Sequence, residues 1–249
     1  MENKVSNKKD WFVDWFNTSY YHLLYQNRDQ DEAKRFIKNI INHLHLPQES
    51  RILDLACGKG RHAIEISSYG YDVTGIDLSE ESIKEAQTHE NQNLSFFVHD
   101  MRHHFRINYF NAIFNLFTSF GYFENTRDNY RCIEVMARGL KDQGIMVIDF
   151  MNVIKVLNNL VPKEIIHRGD IDFNITRELI DNRIVKTISF EDEGESFQYQ
   201  EKVEAIRLSD FQSFLDVAGL KVVSLWGNYD LEDFDAENSD RLIIVAKKG

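Results

Sequence analysis

The chain has 249 residues, with 29 Lys or Arg against 40 Asp or Glu, a formal net charge of −11. That length suits one large α/β domain with an elaboration and a substantial core, and the acidic balance argues against nucleic acid as a partner, because nonspecific phosphate binding relies on clustered Lys and Arg. Two cysteines, Cys57 and Cys132, give no disulfide framework and suit the cytoplasm; no apolar run reaches the roughly 18 residues of a membrane span, and the start MENKVSNKKDW lacks the apolar stretch of a signal peptide.

In chain order, residues 11 to 25 hold Trp11, Phe12, Trp15, Phe16, Tyr20, Tyr21, His22 and Tyr25. Most of these rings are expected to bury apolar area as an ordinary packing helix. Tyr21 and Tyr25, four apart, share one helical face. Phe36, Ile37, Ile40, Ile41 and Leu44 predict an amphipathic helix over 30–45 that Pro47 ends. From Arg51 strands and helices alternate, with strands from Arg51, over Tyr71 to Ile76, Leu94 to Val98, Tyr109 to Phe117 and Ile145 to Phe150. Helices are expected at 61–69, from Ser79, and around Tyr130, Ile133, Met136 and Leu140. This alternation argues for a parallel sheet covered on both faces.

Between Lys163 and Arg207 the period changes to two. Ile171, Phe173, Ile175 and Leu179 alternate with polar residues, and turns are expected at Asp181, Asn182 and around Gly194. An antiparallel insertion of three or four strands is the simplest account, and its edges offer a route to a homodimer. Ser209 and Gln212 read as a capping box for a helix that Gly219 stops. Lys221 to Trp226 and Arg241 to Lys247 close the sheet as an antiparallel pair. The expected architecture is a Rossmann-like, seven-stranded, mostly parallel sheet with helices on both faces. It forms a single domain over 1–249, with a helical cover at 1–46, a core at 47–152 and 208–249, and the insertion at 153–207.

The chemistry concentrates at the strand ends. RILDLACGKGRH runs from an apolar strand through a glycine-studded turn into a helix, and Gly58 and Gly60 let backbone N–H groups approach a ligand closely. Ala56 is read as a place that needs a small residue and no positive φ. A dinucleotide fingerprint needs G-x-G-x-x-G; here Arg61, His62 and Ala63 follow Gly60, so the turn suits a ligand without a pyrophosphate. Asp77 ends the next strand, at about the spacing of an acid that takes a ribose diol. Asp100 follows the third strand, and Thr118 and Ser119 the fourth.

With these motifs the chain resembles the class I S-adenosylmethionine (SAM) dependent methyltransferases: DLACGKG looks like their motif I, GIDLS their ribose motif, HDMR their adenine motif and FNLFTSFGYF their fourth-strand motif. Its style is nearest to small-molecule members, including those that N-methylate amino sugars. The resemblance implies SAM as cofactor and S-adenosylhomocysteine as product. It implies that Ala56, Cys57, Gly58 and Gly60 pass beneath the methionyl part, with Asp54 at its base. Asp77 would take the ribose hydroxyls with Leu78 against the adenine, Asp100 and Met101 the adenine edge, and Leu116, Phe117 and Thr118 the ammonium and sulfonium. An N-terminal segment of this sort covers SAM in the resembled family. Tyr21 and Tyr25, then Tyr122, are the candidates for a hydroxyl in the acceptor pocket.

No metal is implied: His99, His103 and His104 lack an accompanying carboxylate pattern. His62 and His167 are single histidines, a base only if one reaches the transfer point. The acidic stretch Asp230 to Asp240 reads as a solvated loop, with steering of a cationic acceptor as the functional alternative. Three readings stay open: methyl transfer to a small molecule, with nitrogen as one acceptor atom since an amine needs no dedicated base; methyl transfer to RNA or protein; and SAM binding without turnover.

Overall fold

A computed structural model describes residues 11–26 and 30–249; the parts of the expected N-terminal cover at 1–10 and 27–29 lie outside the described residues. Helices α1 (Trp11–Phe16), α2 (Ser19–Leu24) and α3 (Gln30–Leu44) precede β1 (Arg51–Leu55). Then come α4 (Arg61–Ser68), β2 (Asp72–Asp77), α5 (Glu80–Ala86), β3 (Leu94–Val98), β4 (Phe110–Asn115), α6 (Thr126–Gly139) and β5 (Leu140–Met151). After α7 (Val153–Asn158) the chain forms β6 (Lys163–Arg168), β7 (Ile171–Ile180), β8 (Arg183–Asp192) and β9 (Glu195–Glu204). It returns through α8 (Leu208–Val217), β10 (Leu220–Trp226) and β11 (Arg241–Lys248).

Seven strands form one sheet in the order β10-β11-β5-β4-β1-β2-β3. The pairs from β5 to β3 are parallel, whereas β11 runs antiparallel to both β5 and β10. The chain moves outward from β1 to β3 and then returns to β4 on the other side of β1, so the order reverses between β1 and β4. Ligands bind outside the carboxyl ends of strands at such a reversal.

Strand alternation divides the core. Ile113, Met146, Ile148, Phe150, Leu242 and Ile244 pack with Ile133, Met136 and Phe211 of α6 and α8. Phe114, Val147, Ile243 and Val245 face the other way, against Phe36, Ile37 and Ile40 of α3 and Ala63 and Ile66 of α4. Each large apolar side chain of α3 so buried contributes about 1.5–3 kcal/mol. Acidic Asp31 and Glu32 in the first turn of α3 suit its dipole. Its stop is His45, left-handed at φ 47°, two residues before the expected Pro47.

The four-stranded antiparallel insertion has the order β6-β7-β8-β9. Asp181 and Asn182 turn its central hairpin with φ 47° and 59°, as a two-residue loop matched to strand twist requires. Its inner face, Phe173, Ile175, Ile188 and Phe190, packs on Trp15 and Leu24 of the first two helices. Several boundaries differ from the sequence reading. β4 stops at Asn115, because Phe117 and Thr118 turn out of the sheet with positive φ. β5 begins at Leu140, with its pairing to β4 interrupted before Ile145. The expected Ser209 and Gln212 capping box is replaced by Asp210, whose carboxylate accepts the Arg207 N–H at 2.8 Å. Among the described residues no helix is long and apolar enough to cross a membrane.

Gly75 in β2 marks the tightest layer between sheet and ligand turn. A Cβ there would lie 2.5 Å from the Phe96 ring and 2.9 Å from Cys57 Sγ, and Phe96 is fully buried. Gly75→Ala is expected to destabilise the protein by about 1–3 kcal/mol through overpacking, measured by urea unfolding; an unchanged midpoint would show that the Phe96 ring yields freely.

Candidate functional site

Immediately after β1 the chain reverses, and the Cys57 N–H bonds back to the Ile76 carbonyl of β2 at 3.0 Å. That early return forces Ala56 into the left-handed region at φ 60°, which corrects the expectation that this position needs only a small side chain. Gly58 and Gly60 follow at φ 54° and 83°. A Cβ on Gly60 would lie 2.6 Å from the Phe96 ring, so glycine is required there for space as well as for conformation. The Gly58 N–H donates to Asp77 Oδ2 at 2.8 Å, and the Ser79 N–H to Asp77 Oδ1 at 2.8 Å. Asp77 thus joins the turn after β1 to the end of β2. Burial pushes its carboxyl up, and the Ser79 and Gly58 N–H groups oppose that shift.

Asp54 is only 1 % exposed. Burial pushes its pKa up to about 7, with a further rise from the neighbouring Asp77 and an opposing contribution from the Ala63 N–H. Its Oδ2 has no hydrogen-bond partner. On the adjoining strand, where Asp54 pairs in register with Phe114, the next residue is Asn115, fully buried. Its Nδ2 donates to the Leu55 carbonyl at 3.0 Å, while its Oδ1 is left unpartnered. Among the described residues four buried side-chain polar atoms lack a partner, and two of them sit at these adjacent strand ends, at the chain reversal. Unpartnered buried acceptors are costly, and a cationic N–H donor entering between β1 and β4 suits both. Asn115 was missed in the sequence, although an amide between Phe114 and Leu116 in the otherwise apolar end of FNAIFNLF is a signal of a kind.

Asp100 lies next along the strand ends. Its carboxylate takes Arg102 Nε at 3.0 Å and Nη2 at 2.7 Å, together with the Arg102 backbone N–H at 2.9 Å. Burial pushes Asp100 up, but the Arg102 hydrogen bonds and charge outweigh it and hold the carboxyl below its ordinary value. Leu78 and Met101 are partly buried against the α6 side of the core. The three neighbouring histidines do not converge: His99 Nε2 meets the His103 carbonyl at 3.0 Å, and His103 and His104 are exposed.

At the end of β4, Leu116 is buried and two consecutive non-glycine residues are left-handed, Phe117 at φ 61° and Thr118 at φ 59°. Such conformations cost about 1–3 kcal/mol each and persist only where the surroundings hold them. Here the Phe117 N–H donates to Asp149 Oδ2 at 2.9 Å and the Thr118 N–H to the Asp149 carbonyl at 2.9 Å. Arg241 Nε donates to Asp149 Oδ1 at 2.7 Å, its Nη2 reaches Thr118 Oγ1 at 2.9 Å, and the Tyr229 hydroxyl donates to Asp149 Oδ2 at 3.1 Å. Asp149, Arg241 and Tyr229 were not singled out in the sequence. Opposite charges in two apolar strands, IMVIDF and RLIIVA, were the available clue.

The expected acceptor tyrosines lie along one aromatic wall. Tyr122 donates its hydroxyl to the Thr118 carbonyl at 2.5 Å, and its ring meets Phe16 at 5.5 Å between centroids. Phe16 meets Tyr21 at 4.8 Å, and Tyr21 meets Tyr25 at 4.9 Å. The Tyr25 hydroxyl is engaged by Glu201 Oε1 at 2.7 Å and by Lys186 Nζ at 2.5 Å. The first helices are tied to the strand ends by Trp11 Nε1 donating to the Tyr122 carbonyl at 3.2 Å and by a 2.5 Å hydrogen bond from the Ser79 hydroxyl to Asn17.

Other candidates have structural partners. Cys57 and Cys132 are buried free thiols, and burial raises the pKa of each. His62 is buried beside Phe117, while His167 is exposed and meets Asp172 at 2.5 Å. In the acidic loop Asp235 accepts the Glu237 and Asn238 N–H groups, and Asp240 pairs with Lys155 at 2.6 Å.

Residues 52–144 match a family described as "Methyltransferase domain". "Putative methyltransferase YqeM" of Bacillus subtilis is 33% identical over 141 residues, 55% of each chain. The "dTDP-3-amino-3,4,6-trideoxy-alpha-D-glucopyranose N,N-dimethyltransferase" of Streptomyces venezuelae is 30% identical over 135 residues, 52% of this chain and 54% of that one. In both, the chain spans about half the relative's length. The fold is that of an S-adenosylmethionine-dependent methyltransferase from Clostridium acetobutylicum, with a TM-score of 0.77, 19% identity, and coverage of 92% of this chain and 96% of that one. The ordered strand-end motifs, the reversal at β1 and β4 and the matched family agree: residues 52–144 carry a methyltransferase domain, on a fold shared with SAM-dependent methyltransferases.

Proposed function

We propose that this protein methylates a small-molecule acceptor at nitrogen. The observation that carries the reading is the aromatic cover, which joins the ends of β2 and β4 to the insertion through Asn17, Trp11 and Trp15. A cover of that kind encloses a small acceptor; an RNA substrate calls for an open, basic cleft, which sits poorly with a net charge of −11. The similarity to an amino-sugar N,N-dimethyltransferase supports nitrogen as the acceptor atom. Two buried cysteines without a disulfide are compatible with a cytoplasmic setting.

Bound SAM supplies a methyl group already activated on a sulfonium. The chain's share is to bind, orient and exclude water, and alignment of this kind is worth roughly 7–11 kcal/mol of barrier. In this reading Asp54 and Asn115 accept from the methionyl ammonium, Asp77 from the ribose hydroxyls and Asp100 from the adenine amino group. Ala56, Cys57, Gly58 and Gly60 shape the floor, and Leu78 and Met101 flank the base. The backbone of Leu116, Phe117 and Thr118 faces the sulfonium end. Tyr21, Tyr25 and Tyr122 form the acceptor wall, where aromatic faces favour the positive charge that develops on the nitrogen as it is methylated. No protein base is assigned, because an amine that arrives deprotonated carries its own lone pair.

The first test is calorimetric binding of SAM and S-adenosylhomocysteine, followed by methyl transfer to amino-sugar and amino-acid amines. Asp77→Ala is expected to weaken both ligands by about one to two decades, as for loss of a charged hydrogen-bond acceptor worth about 1.5–3 kcal/mol. No binding to the wild type would overturn the reading.

Asp54 predicts a pH dependence. Its folded pKa of about 7 lies above the ordinary 3.8, so the ligand-free fold binds more protons than the unfolded chain between those values. The contribution to stability is therefore fully present below about pH 4 and is lost as pH rises toward 7. An ammonium-bearing ligand favours the ionised carboxylate, so S-adenosylhomocysteine binding is expected to strengthen from about pH 6 to 7 with release of protons. Asp54→Asn is expected to remove that dependence, read as the buffer dependence of the calorimetric enthalpy.

A further inference from the structure

The turn at Phe117 and Thr118 is held from strands that take no part in the four strand-end motifs. Asp149 on β5 is completely buried, yet its carboxylate receives three hydrogen bonds from three separate segments, the Phe117 N–H, Arg241 Nε of β11 and the Tyr229 hydroxyl, with Arg241 Nη2 in ion-pair contact at 2.7 Å. Arg241 then reaches past it to Thr118 Oγ1. Tyr229 also stacks on the Phe117 ring at 5.8 Å between centroids and 23° between planes, while the Arg61 guanidinium lies 4.5 Å above that ring. Both backbone N–H groups of the turn are thus fixed by one residue, Phe117 by the Asp149 carboxylate and Thr118 by its carbonyl.

A buried ion pair is a poor device for stability alone, because desolvation offsets its attraction and a well-packed apolar pair does as well. What an apolar pair cannot do is receive the Phe117 N–H and bridge to the Thr118 hydroxyl. We propose that Asp149 and Arg241 are positioning residues for methyl transfer, holding the Phe117 and Thr118 backbone in the left-handed conformation that meets the methionyl end of the cofactor. The inference rests on the methyltransferase reading above. It assigns no contact between Asp149 and the ligand; the effect passes through the shape of the turn.

The test compares two ligands on the full chain: S-adenosylhomocysteine, and 5′-methylthioadenosine, which keeps the nucleoside and sulfur and lacks the amino-acid end. Asp149→Asn with Arg241→Met removes both charges together, so that neither is left buried alone. This pair is expected to lose about ten-fold in S-adenosylhomocysteine affinity and less than about two-fold for methylthioadenosine. Adding Thr118→Gly, which takes positive φ freely, is expected to recover about three-fold of the loss. Should the double variant fail to unfold cooperatively, Arg241→Lys serves instead. A single ammonium cannot reproduce the fork that spans Asp149 and Thr118, and a selective loss of about three-fold is expected. Equal losses for the two ligands, or unchanged affinity for both, would overturn the positioning role while leaving the cofactor assignment intact. A wild type that binds neither ligand would instead overturn the methyltransferase reading on which it rests.

Discussion

The reversal of chain direction between β1 and β4 is the constraint from which the rest follows. Two parallel strands that meet there send their following segments to opposite faces, α4 with the α3 side and α6 with the α8 side. The carboxyl ends are left without a covering helix of their own. Backbone leaving a strand in such a place must turn sharply, and it does so at left-handed residues on both sides, Ala56 after β1 and Phe117 with Thr118 after β4. Neither turn is relaxed. Each is secured by a carboxylate one strand away, Asp77 for the first and Asp149 for the second.

Asp149 and Asp54 differ in what surrounds them. Asp149 has a guanidinium and is neutralised within the protein. Among the described residues Asp54 has no cation in hydrogen-bond contact and one oxygen without a partner, and its burial raises its pKa into the neutral range. The charge at Asp149 is compensated internally, while the carboxylate proposed to meet the ligand keeps an unpartnered oxygen. Perturbed acids cluster at functional sites for this reason, and here the same fold shows both arrangements within a few residues of the sheet's reversal.

Much of this was legible in the residues. RILDLACGKGRH encodes strand, turn and helix in one line, and Leu94 to Val98, followed by Asp100, had the right limits. Asp181 and Asn182 announced their hairpin by the turn chemistry alone. The misses share a physical origin. Ala56, Phe117 and Thr118 give no local sign of positive φ, since their conformation is imposed by hydrogen bonds to Ile76 and Asp149, which are distant in sequence. Asn115 is one amide in an apolar strand, and its meaning depends on Leu55 and Asp54 beside it. The capping of α8 by Asp210 was shifted by two residues because Arg207, of low capping preference, holds the N-terminal position.

The N-terminal helices are bonded to the insertion as well as to the core. Trp15 and Tyr25 share Glu201 of β9, Tyr20 donates to Asp192 at the β8 end, and Arg168 reaches the Leu24 carbonyl. Toward the core there are the Trp11 bond to Tyr122, the Ser79 bond to Asn17 and ring contacts. Cover and insertion therefore meet at Glu201, and the ring wall of Tyr21, Tyr25 and Tyr122 is a seam between parts of the chain far apart in sequence: the cover supplies Tyr21 and Tyr25, the turn after β4 supplies Tyr122, and Phe16 bridges them.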